Sequence, residues 1–308
     1  MLSSEAAADY EVAMDLSPPP VKHATALGVL CGAGSAFCWA LGFVAARHGV
    51  LVGLSPLVIA LHRFVWPGLA LLPVVIAGGF CNLGGLGWRR GIAITACGGL
   101  PLALWSYLGY LFVPLGHGTI IQPSCASLGG LILARLILKE PLPPRRVAGA
   151  LAMVLGVSVI GAEALRTMGT QGLLGDLLFV AAGSSFAIFG MLLRLWRIDP
   201  IRATAVTSTL SLAGLPILFF TFANMVAAGF LENLMQAVVQ GLFAGAGATY
   251  LFTRAVVLLG VGRAALYPSL VPPFALLIGV LTLGEVPSVW QLIGLAIVVV
   301  GFRLTQRA

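Results

Sequence analysis

The sequence predicts an all-α membrane protein of ten transmembrane helices, built as two inverted five-helix repeats with both termini in the cytoplasm. Three observations carry that expectation. Of 308 residues, 59% are hydrophobic and only 9% charged, whereas a soluble domain carries about a quarter of its residues charged. Apolar runs of about 20 residues, the length that spans hydrocarbon as helix, recur ten times. The second half of the chain also repeats the pattern of the first.

Residues 1–23 stand apart, with Glu5, Asp9, Glu11 and Asp15 followed by Pro18-Pro19-Pro20. They lack the basic start and apolar core of a signal peptide, and read as a flexible cytoplasmic tail. Runs at 24–46, 54–78, 91–112, 114–138 and 144–163 make a first repeat over 24–163. Runs at 172–194, 200–225, 234–259, 263–283 and 288–306 make a second over 164–308. Only the stretch from Pro114 to Gly118 separates the third run from the fourth. The 39 glycines suit helices packed closely in a bilayer, and Gly28xxxGly32 and Gly241xxxGly245 mark tight contacts.

Cations set the orientation, because cytoplasmic loops collect Lys and Arg. With the N-terminus inside and one crossing per run, fourteen of the 17 cations fall on the cytoplasmic side. Arg47 and Arg166 face the opposite side, and Arg63 lies within a run. Moving any one span scrambles this asymmetry. The net charge of +7 therefore reports membrane orientation, not a nucleic-acid surface. The five cysteines have no CxxC or Cys/His ligand spacing, so neither a metal site nor a cofactor is expected.

Shifting the chain by 145 residues places Pro123-Ser124 on Pro268-Ser269, Glu140 on Glu285, Gly149 on Gly294 and Gly156 on Gly301. A shift of 147 places Gly28 on Gly175, Trp39 on Phe186 and Arg47 on Arg194. Five spans per half is an odd number, so the second half inserts upside down. The charges agree: the turn after the fourth run carries Lys139, Arg145 and Arg146, while its counterpart at 284–290 carries no cation. Inverted repeats place a solute site near the midplane between the halves and permit alternating access.

The stretches Leu138-Lys139-Glu140-Pro141…Gly149…Gly156 and Leu283-Gly284-Glu285-Val286-Pro287…Gly294…Gly301 resemble the repeat-ending signature of EamA-type proteins of the drug/metabolite transporter superfamily. The resemblance covers roughly 25–305. It implies ten helices and export of metabolites or amino acids from a bacterial inner membrane, with aromatic amino acid exporters of the YddG type as a near relative. No motif specifies that subgroup. The first copy departs from the pattern with Lys139 where the family commonly has glycine, as at Gly284.

Polar and aromatic side chains inside spans mark candidate sites, since lipid-facing polarity is costly. Trp39 with Phe186, Trp105 with Tyr250, and Gln122 with Tyr267 occupy repeat-related positions, accompanied by Ser185, Ser124 and Ser269. Together they suit an aromatic-walled cavity for an amphipathic solute of amino-acid size; interfacial anchoring or packing explains Trp and Tyr equally well. His62-Arg63 lies about 12 Å from the outer end of its span, as a carboxylate or phosphate contact, a gate, an arginine snorkelling outward, or one bonded to backbone carbonyls at a broken helix. Pro123 and Pro268 remove backbone hydrogen bonds within helices and are candidate hinges. Glu140 and Glu285 organise the turn into the next helix. No carboxylate falls at mid-depth, so proton coupling and facilitated diffusion both stay open.

The alternatives are a phosphorylated-sugar or nucleotide-sugar exchanger, which wants several mid-membrane cations, and a non-transporting receptor or scaffold. An enzyme is not expected, because the chain has no HExxH, GxSxG or P-loop. The expected partners are a small-molecule solute and membrane lipid, and no nucleic acid.

Overall fold

A computed structural model describes residues 21–264 and 267–306; the tail expected over 1–23 falls almost wholly outside them. The described residues are helical, with no strand among them. Helix α1 (Val21–Leu51) leads to α2 (Pro56–Ala77). Ser55 caps α2 by accepting the Val58 N–H at 3.3 Å, and Pro56 occupies the first turn, where its missing N–H costs nothing. The third run is two helices, α3 (Trp88–Gly98) and α4 (Leu100–Gly109), jointed at Gly99. The break before the fourth run falls at 110–114, and α5 (Leu115–Ile137) starts directly after Pro114.

Helix α6 (Pro144–Trp196) covers 53 residues as two helices set end to end across a kink, enough for two spans of about 20 residues each. Its continuity is broken in dihedral terms at Gly169, with φ 69° and ψ −153°. Glycine alone adopts that conformation without strain, so the fifth and sixth runs meet at one residue, not through a loop. Next come α7 (Pro200–Ser211) and α8 (Leu215–Ala228) around the 3-10 turn Leu212–Gly214. The stretches 200–217 and 219–228 bend by 87° to one another. The eighth run is α9 (Phe230–Gln236), an eleven-residue π segment Ala237–Gly247, and α10 (Ala248–Leu259). The ninth is α11 (Val261–Ala264), the 3-10 turn Tyr267–Leu270 and α12 (Val271–Leu283), and α13 (Val289–Gln306) is the tenth.

Among the described residues six helical stretches are long and apolar enough to cross a membrane, or seven if the bent α7–α8 pair is one span. The outer surface is apolar: Leu30, Leu136 and Leu281 stand 69%, 70% and 76% exposed. Side chains of that kind over so much surface need lipid as their solvent.

The halves hold each other through contacts made twice. A methyl group on Gly149 would lie 2.5 Å from the Gly301 carbonyl oxygen, and one on Gly156 would lie 2.7 Å from that of Gly294. These glycines are two turns apart on one face of each helix, so the first part of α6 and α13 cross antiparallel with backbones in contact. Likewise Gly28 abuts Leu258 and Leu259, while its repeat mate Gly175 abuts Phe112 and Val113; Val113 is the repeat mate of Leu258. The carboxylates follow the same rule. Glu285 pairs with Arg47 at 2.6 Å and Glu140 pairs with Arg194. Each acid of one half thus holds the arginine of the other. Glu285, expected to organise its own turn, instead reaches other elements: it also accepts the Leu115 N–H at 2.8 Å, and Arg47 also donates to the Tyr110 carbonyl at 2.6 Å.

Candidate functional site

The π segment shapes the polar centre. Its wide turns carry Gln240, and Gln236 closes α9 just before it; both are fully buried. Glycines allow the close approach: a methyl on Gly42 would lie 2.6 Å from the Ala244 Cβ, and one on Gly245 2.9 Å from Arg63 Nη1. Buried polar groups need partners, and here they form a chain. Arg63 donates from Nη1 to the Gln240 carbonyl at 3.1 Å. The Tyr107 hydroxyl donates to Gln240 Oε1 at 2.9 Å, and Gln240 Nε2 donates to the Gly42 carbonyl at 2.8 Å. Four elements (α1, α2, α4 and the π segment) are tied by one arginine, one phenol and one amide.

His62 sits beside this chain as a fully partnered neutral imidazole. Trp66 Nε1, which can only donate, reaches His62 Nδ1 at 2.9 Å. Asn233 spends its Nδ2 on the Met225 and Gly229 carbonyls, leaving Oδ1 to accept from His62 Nε2 at 3.2 Å. Beside Asn233 on α9, Glu232 accepts from Gln236 Nε2 one turn on at 2.9 Å and meets His48 Nε2 at 3.2 Å.

The repeat-related aromatic side chains are more open. Trp105 and Tyr250 are 44% and 55% exposed and Phe186 is 45% exposed, while Trp39 is half-buried with its ring 5.5 Å from that of Phe252. Gln122 accepts from the Ser106 hydroxyl at 2.8 Å, and Ser185 donates to the Cys97 carbonyl at 2.8 Å. These six predicted residues share no hydrogen bond or ring contact with one another among the described residues. The Tyr267 ring packs against Gly32.

Pro123, Ser124, Pro268 and Ser269 do come together. They face one cavity of about 40 Å³ whose remaining wall includes Met153, Val298 and Phe302. That volume is enough for a water molecule and too small for an amino acid. Pro123 kinks the interior of α5, and Ser124 returns its hydroxyl to the Ile120 carbonyl at 2.6 Å, which favours a bend. Pro268 differs from the sequence expectation: it lies in the 3-10 turn before α12, not inside an α-helix.

Four polar residues in this interior escaped sequence reasoning. Tyr107 and Gln240 sit in apolar runs with no repeat-related partner of like chemistry. His117 and Asp176, near run ends in the sequence, pair at 2.8 Å while buried. For Gln236 and Gln240 the four-residue spacing of amides on one face of an apolar run is a readable signal.

The model of the EamA-like transporter family matches residues 26–162 and again 173–306. The chain belongs to the EamA-like transporter family. It is accordingly a membrane transporter of the drug/metabolite transporter superfamily, with a small-molecule solute and a lipid environment. A crystal structure of a protein 19% identical in sequence superposes with a TM-score of 0.59, covering 91% of this chain and 97% of its own. None of the curated proteins matches.

Proposed function

We propose that this EamA-like transporter moves small amphipathic metabolites, amino acids among them, out of the bacterial cytoplasm by alternating access between two inverted repeats. The carrying observation is the reciprocity of the contacts between the halves. A relation such as Arg47 with Glu285 and Arg194 with Glu140 exists in two exchanged copies, and two equivalent halves have two equivalent ways to rock. In this reading α6 crosses twice with Gly169 as its joint, α7 and α8 cross once together, and the helices at 267–283 and 289–305 cross once each. That makes ten spans, and the cation asymmetry puts both termini in the cytoplasm. Residues 1–23 form the tail, 24–163 the first repeat and 164–308 the second.

The solute path runs past Trp39, Trp105, Gln122, Ser185, Phe186 and Tyr250, whose partial exposure and repeat-related positions support a wall open to a solute. The polar chain of Arg63, Tyr107 and Gln240 forms the floor. Pro123 and Pro268 act as hinges around their shared small cavity. Arg63 is already committed to the Gln240 carbonyl, which weighs against a phosphorylated solute.

The test is flux into proteoliposomes loaded with a panel of radiolabelled amino acids and sugar phosphates. Movement of at least one amphipathic amino acid, reduced by Trp105→Ala or Tyr250→Ala, is the expected result. Movement of sugar phosphates alone would replace this reading with the exchanger.

A further inference from the structure

One buried titratable pair has no part in the solute path. His117, in the first turn of α5, and Asp176, in the second part of α6, meet through Nδ1 and Oδ1 at 2.8 Å with side chains 0% and 5% exposed. The far end of each is bare. His117 Nε2 and Asp176 Oδ2 are buried with no hydrogen-bond partner among the described residues, although buried polar atoms are nearly always partnered.

The surroundings are specific. Gly161 faces Asp176, since a methyl there would lie 3.8 Å from Oδ2. Two residues further along lies Glu163, whose Oε2 is also buried and without a partner. Tyr110, at the end of α4, packs its ring on Phe179 and leaves its hydroxyl unpartnered. The Gln291 amide of α13 lies against Gly116. Glu285 holds the Leu115 N–H, and Arg47 is committed to Glu285, while the other cation on this side, Arg166, is exposed on α6.

A proton between Nδ1 and Oδ1 leaves the pair with a net charge of −1. A second proton, on the Nε2 lone pair, makes it an imidazolium–carboxylate pair of zero net charge. The bare Nε2 and Oδ2 gain the partners they lack only when a proton or water reaches the site. His117 belongs to the first half and Asp176 to the second, so a movement between halves decides whether water reaches them. The repeat-related positions are Gly262 and Val29. The pair is therefore not part of the repeated architecture and exists on one side only.

We propose that the His117–Asp176 pair is a proton-binding site that couples solute movement to the proton gradient, an inference that rests on the alternating-access reading above. Loading transfers a proton from hydronium to His117 Nε2 and leaves water; release is the reverse, with no redox change.

Two measurements test it. The first needs no solute: purified full-length protein is titrated potentiometrically and by infrared spectroscopy beside His117→Gln and Asp176→Asn. The wild type should bind one proton more than either variant over the range in which all stay folded, with an imidazolium signal that His117→Gln lacks. Equal proton counts would overturn the site. The second uses proteoliposomes, the twenty radiolabelled amino acids as probes, and an internal pH dye. The wild type should accumulate at least one amino acid against a pH gradient while protons move the other way. The variants should keep gradient-free exchange of that amino acid but lose about tenfold of its accumulation. Variants that accumulate as the wild type does would overturn the coupling. If no amino acid moves at all, the transport reading fails, and the proton count still decides the site.

Discussion

Replacing Gly156 by alanine puts the antiparallel crossing of α6 and α13 to a quantitative test. The new methyl would sit 2.7 Å from both the Gly294 carbonyl oxygen and the Val298 Cγ2, where ordinary contact begins near 3.4 Å. One of the opposing atoms is backbone, so no rotamer relieves the clash and α13 must retreat by about 0.7 Å. Overpacking of this kind costs about 1–3 kcal/mol, against about 0.5–1 kcal/mol gained because alanine is the better helix former. The net expectation is a loss of about 1–2 kcal/mol, a drop of a few degrees in melting temperature. Gly190→Ala, in the same helix with nothing within 4 Å of the new methyl, supplies the helix-forming gain alone. A thiol-reactive fluorophore reports unfolding in detergent as the buried Cys31 and Cys38 become accessible. The double variant Gly149→Ala/Gly156→Ala should cost less than the sum of its parts, because one retreat of α13 relieves both contacts. If Gly156→Ala melts at or above Gly190→Ala, the backbone contact between the two helices is not there and the reasoning fails.

Two further outcomes follow from the ion pairs and the loops. Arg47→Gln strands the Glu285 carboxylate in a largely buried site and should cost about 3 kcal/mol. Arg194→Gln, at a position 57% exposed, should stay within about 1 kcal/mol of wild type; equal shifts in melting temperature would show that the two pairs do not differ in burial. Cys81, exposed in the segment between α2 and α3, should react with a membrane-impermeant maleimide in inside-out vesicles and not in intact cells. The opposite labelling would reverse the proposed orientation.

Much of the helical outline was legible in the sequence because each span is specified locally, by apolar length and by the residues that stop it. Pro114 and Pro144 start helices where the apolar pattern says they should. The glycine register of 149, 156, 294 and 301 was visible as a repeat, and the structure gives it a cause: the four glycines are one another's partners. What stayed hidden is set by tertiary contact. Nothing local distinguishes the π segment 237–247 from ordinary helix; it is the packing of Gly42, Gly241 and Gly245 against neighbours that accompanies the wide turn. The partner of Glu285 could not be read either, since Arg47 lies 238 residues away. His117 and Asp176 each look like span-end residues until α5 and α6 are laid side by side. The candidate aromatic wall was found by register alone, which names positions and is silent about which direction they face.

The crossing of α6 with α13 also has a consequence in time. The faces of Gly149 and Gly156 receive the backbone of Gly301 and Gly294, which lie in the second repeat of the chain. Until those residues are made, the first part of α6 waits with a backbone groove unfilled. A product truncated before Gly294 has nothing to fill that groove and becomes a target for membrane quality control.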